Sequence, residues 1–281
     1  MDDQPRVTEE NELTYNFYLK VPELLSLQIP QSKPAHHDEM LFIVIHQTYE
    51  LWFKLMLHEL QTAIEHMEAG KVLRARHFVY RVTEILSVLV PQIHILETMN
   101  PVEFLAFRHR LMPASGFQSS QFREVEFLCG LKNRGYLKFF AQRPEVLEVL
   151  EKRLSEPSLR EAFYKMLRTK GFDVPEDVSV ETLEEDEASR DQLMKALLPL
   201  YEDPEGNLPL NLLTESLVSL DQKLALWREH HVRVVERIIG HRRGTGGSSG
   251  VGYLRSTTSK QAFPYLLELR TILAPQPGVV A

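Results

Sequence analysis

The chain of 281 residues has a single cysteine, Cys129, so no internal disulfide framework can form, and thiol chemistry that needs two cysteines is excluded. Long apolar runs are missing too. The longest, Met40–Ile45, is far too short to span a bilayer. Excess positive charge is absent: a net charge of −7 argues against nucleic acid as the main partner. The start, MDDQPRVTEENE, is polar and acidic and lacks the basic and apolar regions of a secretory leader. Together these set the expectation of a cytoplasmic protein with no membrane partner. No stretch sustains the period-two alternation of strands. Neither E-x-x-H nor H-E-x-x-H occurs, so the di-iron bundle and zincin signatures are absent.

What is present reads as helix almost throughout. Apolar content of 43% and charged content of 25% suit a globular domain. The spacing predicts helices over 13–28, 35–68, 72–98, 101–112, 117–130, 144–169, 189–201, 208–240 and 259–270, with a kink at Pro91. Asn100-Pro101-Val102-Glu103 has the form of a helix start. Residues 172–188, FDVPEDVSVETLEEDEA, are acidic and read as a solvated excursion without chemistry. Residues 1–12 read as a flexible lead, 13–273 as one all-α domain, and 274–281 as a mobile Pro/Gly-containing tail.

One helix carries the sharpest signal. Leu213, Leu217, Leu220, Leu224, Trp227, Val234 and Ile238 step by three and four, which is a buried seam. The one polar position on that seam is His231. His230 lies about 100° away around the helix and faces elsewhere. A buried imidazole needs a partner, either a carbonyl or a metal. The helix then stops at Gly240 and opens into GTGGSSGVG. That loop is a poor phosphate cradle: no strand precedes it, it lacks GK[ST], and it follows the wrong end of a helix dipole. Its glycines suggest close backbone approach to a ligand.

A second histidine, His46, shares a helical face with Phe42, Tyr49 and Phe53 in HHDEMLFIVIHQTYELWFKLMLHEL. Two such histidines on distant helices suggest the two sides of a flat cofactor. In the same segment, Asp38 and Glu39 read as acids favouring a helix N-terminus. Arg108, four residues after Phe104, offers a planar fork for a carboxylate. Cys129 sits in FREVEFLCGLKN, which reads as a plain amphipathic helix, and its expected role is structural.

The segments LTYNFYLKVPELLSLQ, PAHHDEMLFIVIHQTYELWFK, EFLAFRHRLMPASGFQS and LWREHHVRVVERIIGHRRGTGGSSGVGYL closely resemble the tryptophan 2,3-dioxygenase family, in order and over nearly the whole chain. The resemblance implies an all-helical bundle enclosing haem b, with a helical oligomer interface in a homotetramer, O₂ as co-substrate and L-tryptophan as substrate. It implies cleavage of the indole C2–C3 bond to N-formyl-L-kynurenine, the first step of tryptophan catabolism by the kynurenine route. His231 then aligns with the axial iron ligand, the residue the seam also singles out over His230. His46 aligns with the distal histidine, a catalytic or positioning group, and Phe42 with its aromatic partner. Arg108 aligns with the carboxylate-binding arginine, Thr245 with the threonine at the amino-acid end and Ser115 with a serine near the haem edge. Tyr15 aligns with a tyrosine that closes a neighbouring subunit's pocket. Position 104 is tyrosine or phenylalanine in the family; with Phe104 any hydroxyl role there is lost. Two other readings use the same scaffold: a haem monooxygenase acting on indoles, and a non-catalytic helical interaction protein.

Overall fold

Three long helices organise the chain. In the computed structural model, which describes residues 13–273, α3 (His37–Glu68) and α12 (Leu208–Ile239) each run for 32 residues. Between them lies α4 (Val72–His94), packed against both. Its buried positions, including Val79, Val82, Leu86, Leu89 and Ile93, recur at helical spacing, and each fully buried side chain of this size contributes about 1.5–3 kcal/mol. The span Val72–Thr98 is long and apolar enough to cross a membrane by length and composition, and 44% of its apolar window is buried within the chain. The helix continues through Pro91.

The remaining helices are shorter. They are α1 (Tyr15–Leu19), α2 (Val21–Leu24), α5 (Pro101–Arg108), α6 (Ser120–Leu128), α7 (Pro144–Ser155), α8 (Leu159–Thr169), α9 (Val180–Glu185), α10 (Glu187–Leu197), α11 (Pro199–Glu202), α13 (Val251–Arg255) and α14 (Pro264–Glu268). No strand occurs among the described residues, in keeping with the all-α expectation.

Local chemistry sets the boundaries. The Asn100 side chain accepts from the Val102 N–H at 2.8 Å and starts α5. Gly240, at φ +59°, ends α12 in a conformation that side chains rarely adopt.

Several expected helices are broken. The 144–169 helix is two, because Ser158 and Glu161 form a reciprocal capping box directly after Pro157. The 13–28 helix breaks at Lys20, which takes a left-handed conformation before Pro22. The 259–270 helix starts only at Pro264, because the buried Asp221 carboxylate accepts from the Ala262 and Phe263 N–H groups at 2.8 and 2.9 Å and holds them in a turn.

The 172–188 reading needs correction: Val174, Val178 and Leu183 are buried in the main core, and α9 forms within the segment. Its acids line the outer side of an element whose few apolar residues are anchors. The lead 1–12 and the tail 274–281 lie outside the described residues.

Candidate active site

One cavity gathers residues from α3, α5, α6, α12 and the loops after α5 and α12. Phe42, His46, Phe104, Arg108, Ser115, His231 and Thr245 all line it. Tyr15 does not; on α1 it is 74% exposed, and neither α1 nor α2 buries a side chain.

His46 is exposed to the cavity it lines, with protein atoms crowded around its ring. Its Nδ1 lies 2.7 Å from the Phe42 carbonyl. A carbonyl only accepts, so Nδ1 carries the proton and Nε2 is left as an acceptor. Burial pushes the His46 pKa down, which keeps the ring neutral. Phe42 stands 4.1 Å from the His46 ring and 5.6 Å from Phe104, centroid to centroid, forming an aromatic wall beside that acceptor.

His231 ends as the seam predicted, facing the cavity, while Leu213, Leu217, Leu220, Leu224, Trp227, Val234 and Ile238 are buried around α12. Burial pushes its pKa down to about 4, and proximity to His46 adds to the shift. The two imidazoles are therefore within electrostatic reach of each other. No described residue forms a hydrogen bond with His231, so the partner expected for it is not supplied by the described residues. His230 faces elsewhere, with its Nδ1 2.7 Å from His94 Nε2.

Arg108 is half-buried, and its Nη2 donates to the Arg243 carbonyl in the loop after α12. Thr245 Oγ1 donates to the Ala114 carbonyl at 2.6 Å. These two bonds hold the glycine loop against the segment after α5. Gly246 and Gly250 serve that packing, and Gly244 and Gly250 also line the cavity, which is where close backbone approach to a ligand was expected. A Cβ on Gly246 would lie 2.7 Å from Ser115 Cβ, and one on Gly250 would lie 2.5 Å from the Arg242 carbonyl oxygen. Ser115 Oγ accepts from the Phe117 N–H at 3.3 Å and so caps a turn at the cavity edge.

Sequence reasoning missed a buried ionic group in the cavity wall. In α6 every residue from Phe122 to Leu128 is buried, so the helix is not the plain amphipathic one expected. Glu126 is shared by Arg123 and by Arg228 of α12, the latter at 2.7 Å. The Arg123 guanidinium lies 4.4 Å from the Tyr136 ring, and its Nε is buried with no partner. Two arginines to one carboxylate leave the group cationic. The available signal was three charged residues, Arg123, Glu124 and Glu126, packed among the apolar positions of FREVEFL. Cys129 is buried, with its thiol pushed up to about 12, and does not line the cavity. Glu39 is no simple dipole acid: it is buried and accepts from the Gln31 and Ser32 N–H groups at 2.6 and 3.0 Å.

A sequence profile of tryptophan 2,3-dioxygenase matches residues 1–194 and 184–273. The chain belongs to the tryptophan 2,3-dioxygenase family. A family relative from Caulobacter vibrioides is 45% identical over 262 residues, covering 93% of this chain and 99% of the relative. One from Nocardioides is 46% identical over 267 residues, covering 93% and 95%. One from Xanthomonas euvesicatoria is 42% identical over 262 residues, covering 93% and 88%. All three bear the name tryptophan 2,3-dioxygenase. The cavity suits the haem that family membership implies. It offers a neutral, unpartnered imidazole for iron, aromatic walls for a flat ring, and a buried cationic group for carboxylate side arms.

A pH dependence follows from His231. The unfolded chain takes up the proton near pH 6.5, the folded chain only near 4. Acidification therefore favours the unfolded state: this contribution is fully present above 6.5 and is lost as pH falls toward 4. Urea midpoints of the haem-free protein are expected to drop over that interval. His231→Leu should flatten the slope, and an equally steep slope in that variant would refute the assignment.

Proposed function

We propose that this chain, with haem b, opens the indole C2–C3 bond of L-tryptophan with O₂ to give N-formyl-L-kynurenine. The observation that carries this reading is the committed tautomer of His46. Its Nδ1–H is spent on Phe42, so Nε2 presents a hydrogen-bond acceptor to the indole N–H. That acceptor shares one cavity with Arg108 and His231.

His231 would ligate the iron, with Arg123 at the carboxylate side arms. The haem, once bound, would supply the binding and activation of O₂. The remaining work belongs to the chain. Phe42 and Phe104 form an apolar wall that holds the indole flat and excludes water. His46 Nε2 orients the ring by accepting from its N–H. Arg108 exchanges the Arg243 carbonyl for the substrate carboxylate, a stronger, charge-assisted partner. Thr245, released from Ala114, turns to the amino-acid end. Both oxygen atoms enter the product, so no external reductant is consumed. The test is the absorption spectrum of the purified protein followed by product mass from ¹⁸O₂. A haem spectrum and a product heavier than tryptophan by two labelled oxygen atoms are expected. A gain of one would overturn the dioxygenase reading in favour of a monooxygenase.

The enzyme would work in the cytoplasm as a homotetramer whose sites are completed by a neighbour. Leu13, Tyr15, Phe17 and Tyr18 are 63–74% exposed on an arm that packs on little of its own chain. An aromatic arm this bare needs a second surface. Deleting residues 1–20 is expected to weaken assembly and tryptophan binding while haem stays bound, read by light scattering and spectral titration. A truncated protein that remains tetrameric and binds tryptophan as tightly as the full chain would rule this out.

A further inference from the structure

Metal-ligating histidines usually owe their ring orientation to a hydrogen-bond acceptor on the second nitrogen. His231 has no such acceptor among the described residues. What touches its ring is Trp227, one turn earlier on α12, with centroids 5.3 Å apart and planes tilted by 35°. Trp227 is itself held. Its Nε1–H donates to the Tyr49 hydroxyl oxygen at 3.3 Å, and the Tyr49 O–H donates to the Leu89 carbonyl at 2.6 Å. Phe122 packs on the indole at 4.9 Å. Trp227 and Tyr49 are both buried, at 7% and 8% exposure. A continuous path thus runs from the α4 backbone, through α3, to the imidazole on α12.

His230 is the internal contrast. Its ring is tied to His94 by a hydrogen bond, and His94 is backed in turn by Glu97 at 3.2 Å. Of two adjacent histidines, one is oriented by hydrogen bonds and points away from the cavity; the other is oriented by an aromatic face and points into it.

We propose that Trp227, tethered by Tyr49, is the positioning residue that sets the orientation of the His231 imidazole toward the haem iron. The proposal rests on the reading of His231 as axial ligand. This tilted ring contact fixes the imidazole without placing an anion on its second nitrogen. The imidazole is then a neutral and modest electron donor, which leaves the ferrous state that binds O₂ unpenalised.

The test uses the haem-loaded protein and three variants: Trp227→Leu, Trp227→Phe and Tyr49→Phe. Resonance Raman spectroscopy reads the ferrous iron–imidazole stretching band, and transfer to apomyoglobin reads the rate of haem loss. Trp227→Leu is expected to shift or broaden the band and to speed haem loss about tenfold, from the worth of one aromatic contact. Trp227→Phe keeps a ring face but not the N–H, so its band should lie nearer that of the unmodified protein. Tyr49→Phe keeps both rings and loosens only the tether, so a broadened band with about twofold faster haem loss is expected. Should Trp227→Leu fail to retain haem, Tyr49→Phe and Trp227→Phe carry the test. A band unchanged in position and width in every variant that holds haem would overturn the proposal, even if thermal unfolding moved. His231→Ala separates the two levels. If it too keeps the band, the ligand reading fails and the positioning role with it; if it loses the band while the other variants keep it, only the positioning role fails.

Discussion

His231→Ala is expected to abolish stable haem retention, while His230→Ala leaves it intact. The two residues are neighbours in sequence, yet they differ in everything that matters for ligation. His231 lines the cavity, has no hydrogen-bond partner among the described residues and is held neutral down to about pH 4, so its nitrogen lone pair is available to iron. His230 spends its Nδ1 on His94, on another side of α12. Both variants should fold, because His231 contributes no hydrogen bond to the core and His230 is only half-buried. The loss for His231→Ala should be near complete, since it removes the one iron ligand that the cavity offers among its lining histidines other than His46. A normal Soret band with an axial-imidazole spectrum in that variant would refute the assignment. Haem loss in both variants alike would point to disturbance of α12 as a whole.

Arg108→Ala is expected to lower kcat/KM for tryptophan by about 2–4 kcal/mol, the range for losing one partner of a desolvated, charge-assisted contact. The guanidinium reaches the cavity from the last turn of α5, with Phe104 one turn behind it on the same face. Its present bond, to the neutral Arg243 carbonyl, is one that a carboxylate can displace. Arg108→Lys should rescue only in part, because an ammonium cannot engage both carboxylate oxygens in the same plane. Tryptamine, which lacks the carboxylate, should be turned over poorly by the unmodified protein and with little further loss by Arg108→Ala. Comparable turnover of tryptamine and tryptophan would remove Arg108 from the site.

The parts of the fold legible in the sequence are those written in local spacing. A three-and-four apolar rhythm is a property of neighbours on one helix, so α3, α4 and α12 can be read directly. So can the choice of His231 over His230, because azimuth around a helix follows from residue number alone. The pairing of Arg108 with Phe104 on one face of α5 is legible for the same reason. Tyr15, Ser115 and Thr245 carry no such spacing signal; only the family resemblance singles them out. Helix breaks were harder to see: Ser158 with Glu161 is a local signal outweighed by the apolar pattern on both sides, while the late start of α14 depends on a remote carboxylate.

Composition and periodicity therefore sufficed for the helical class, the long core helices and the histidine on the seam, because each depends on residues within two turns of one another. The assembled chain was needed for everything that joins residues far apart in sequence. Asp221 reaches Ala262, 41 residues on. Glu126 meets Arg228 across 102 residues, and His94 meets His230 across 136. The tether of Arg108 to the Arg243 carbonyl spans 135 residues, and the Trp227–Tyr49 bond spans 178. No spacing rule extends over such distances; only the packing of α3, α4, α5, α6 and α12 around one cavity decides which of these groups meet and which way each proton points.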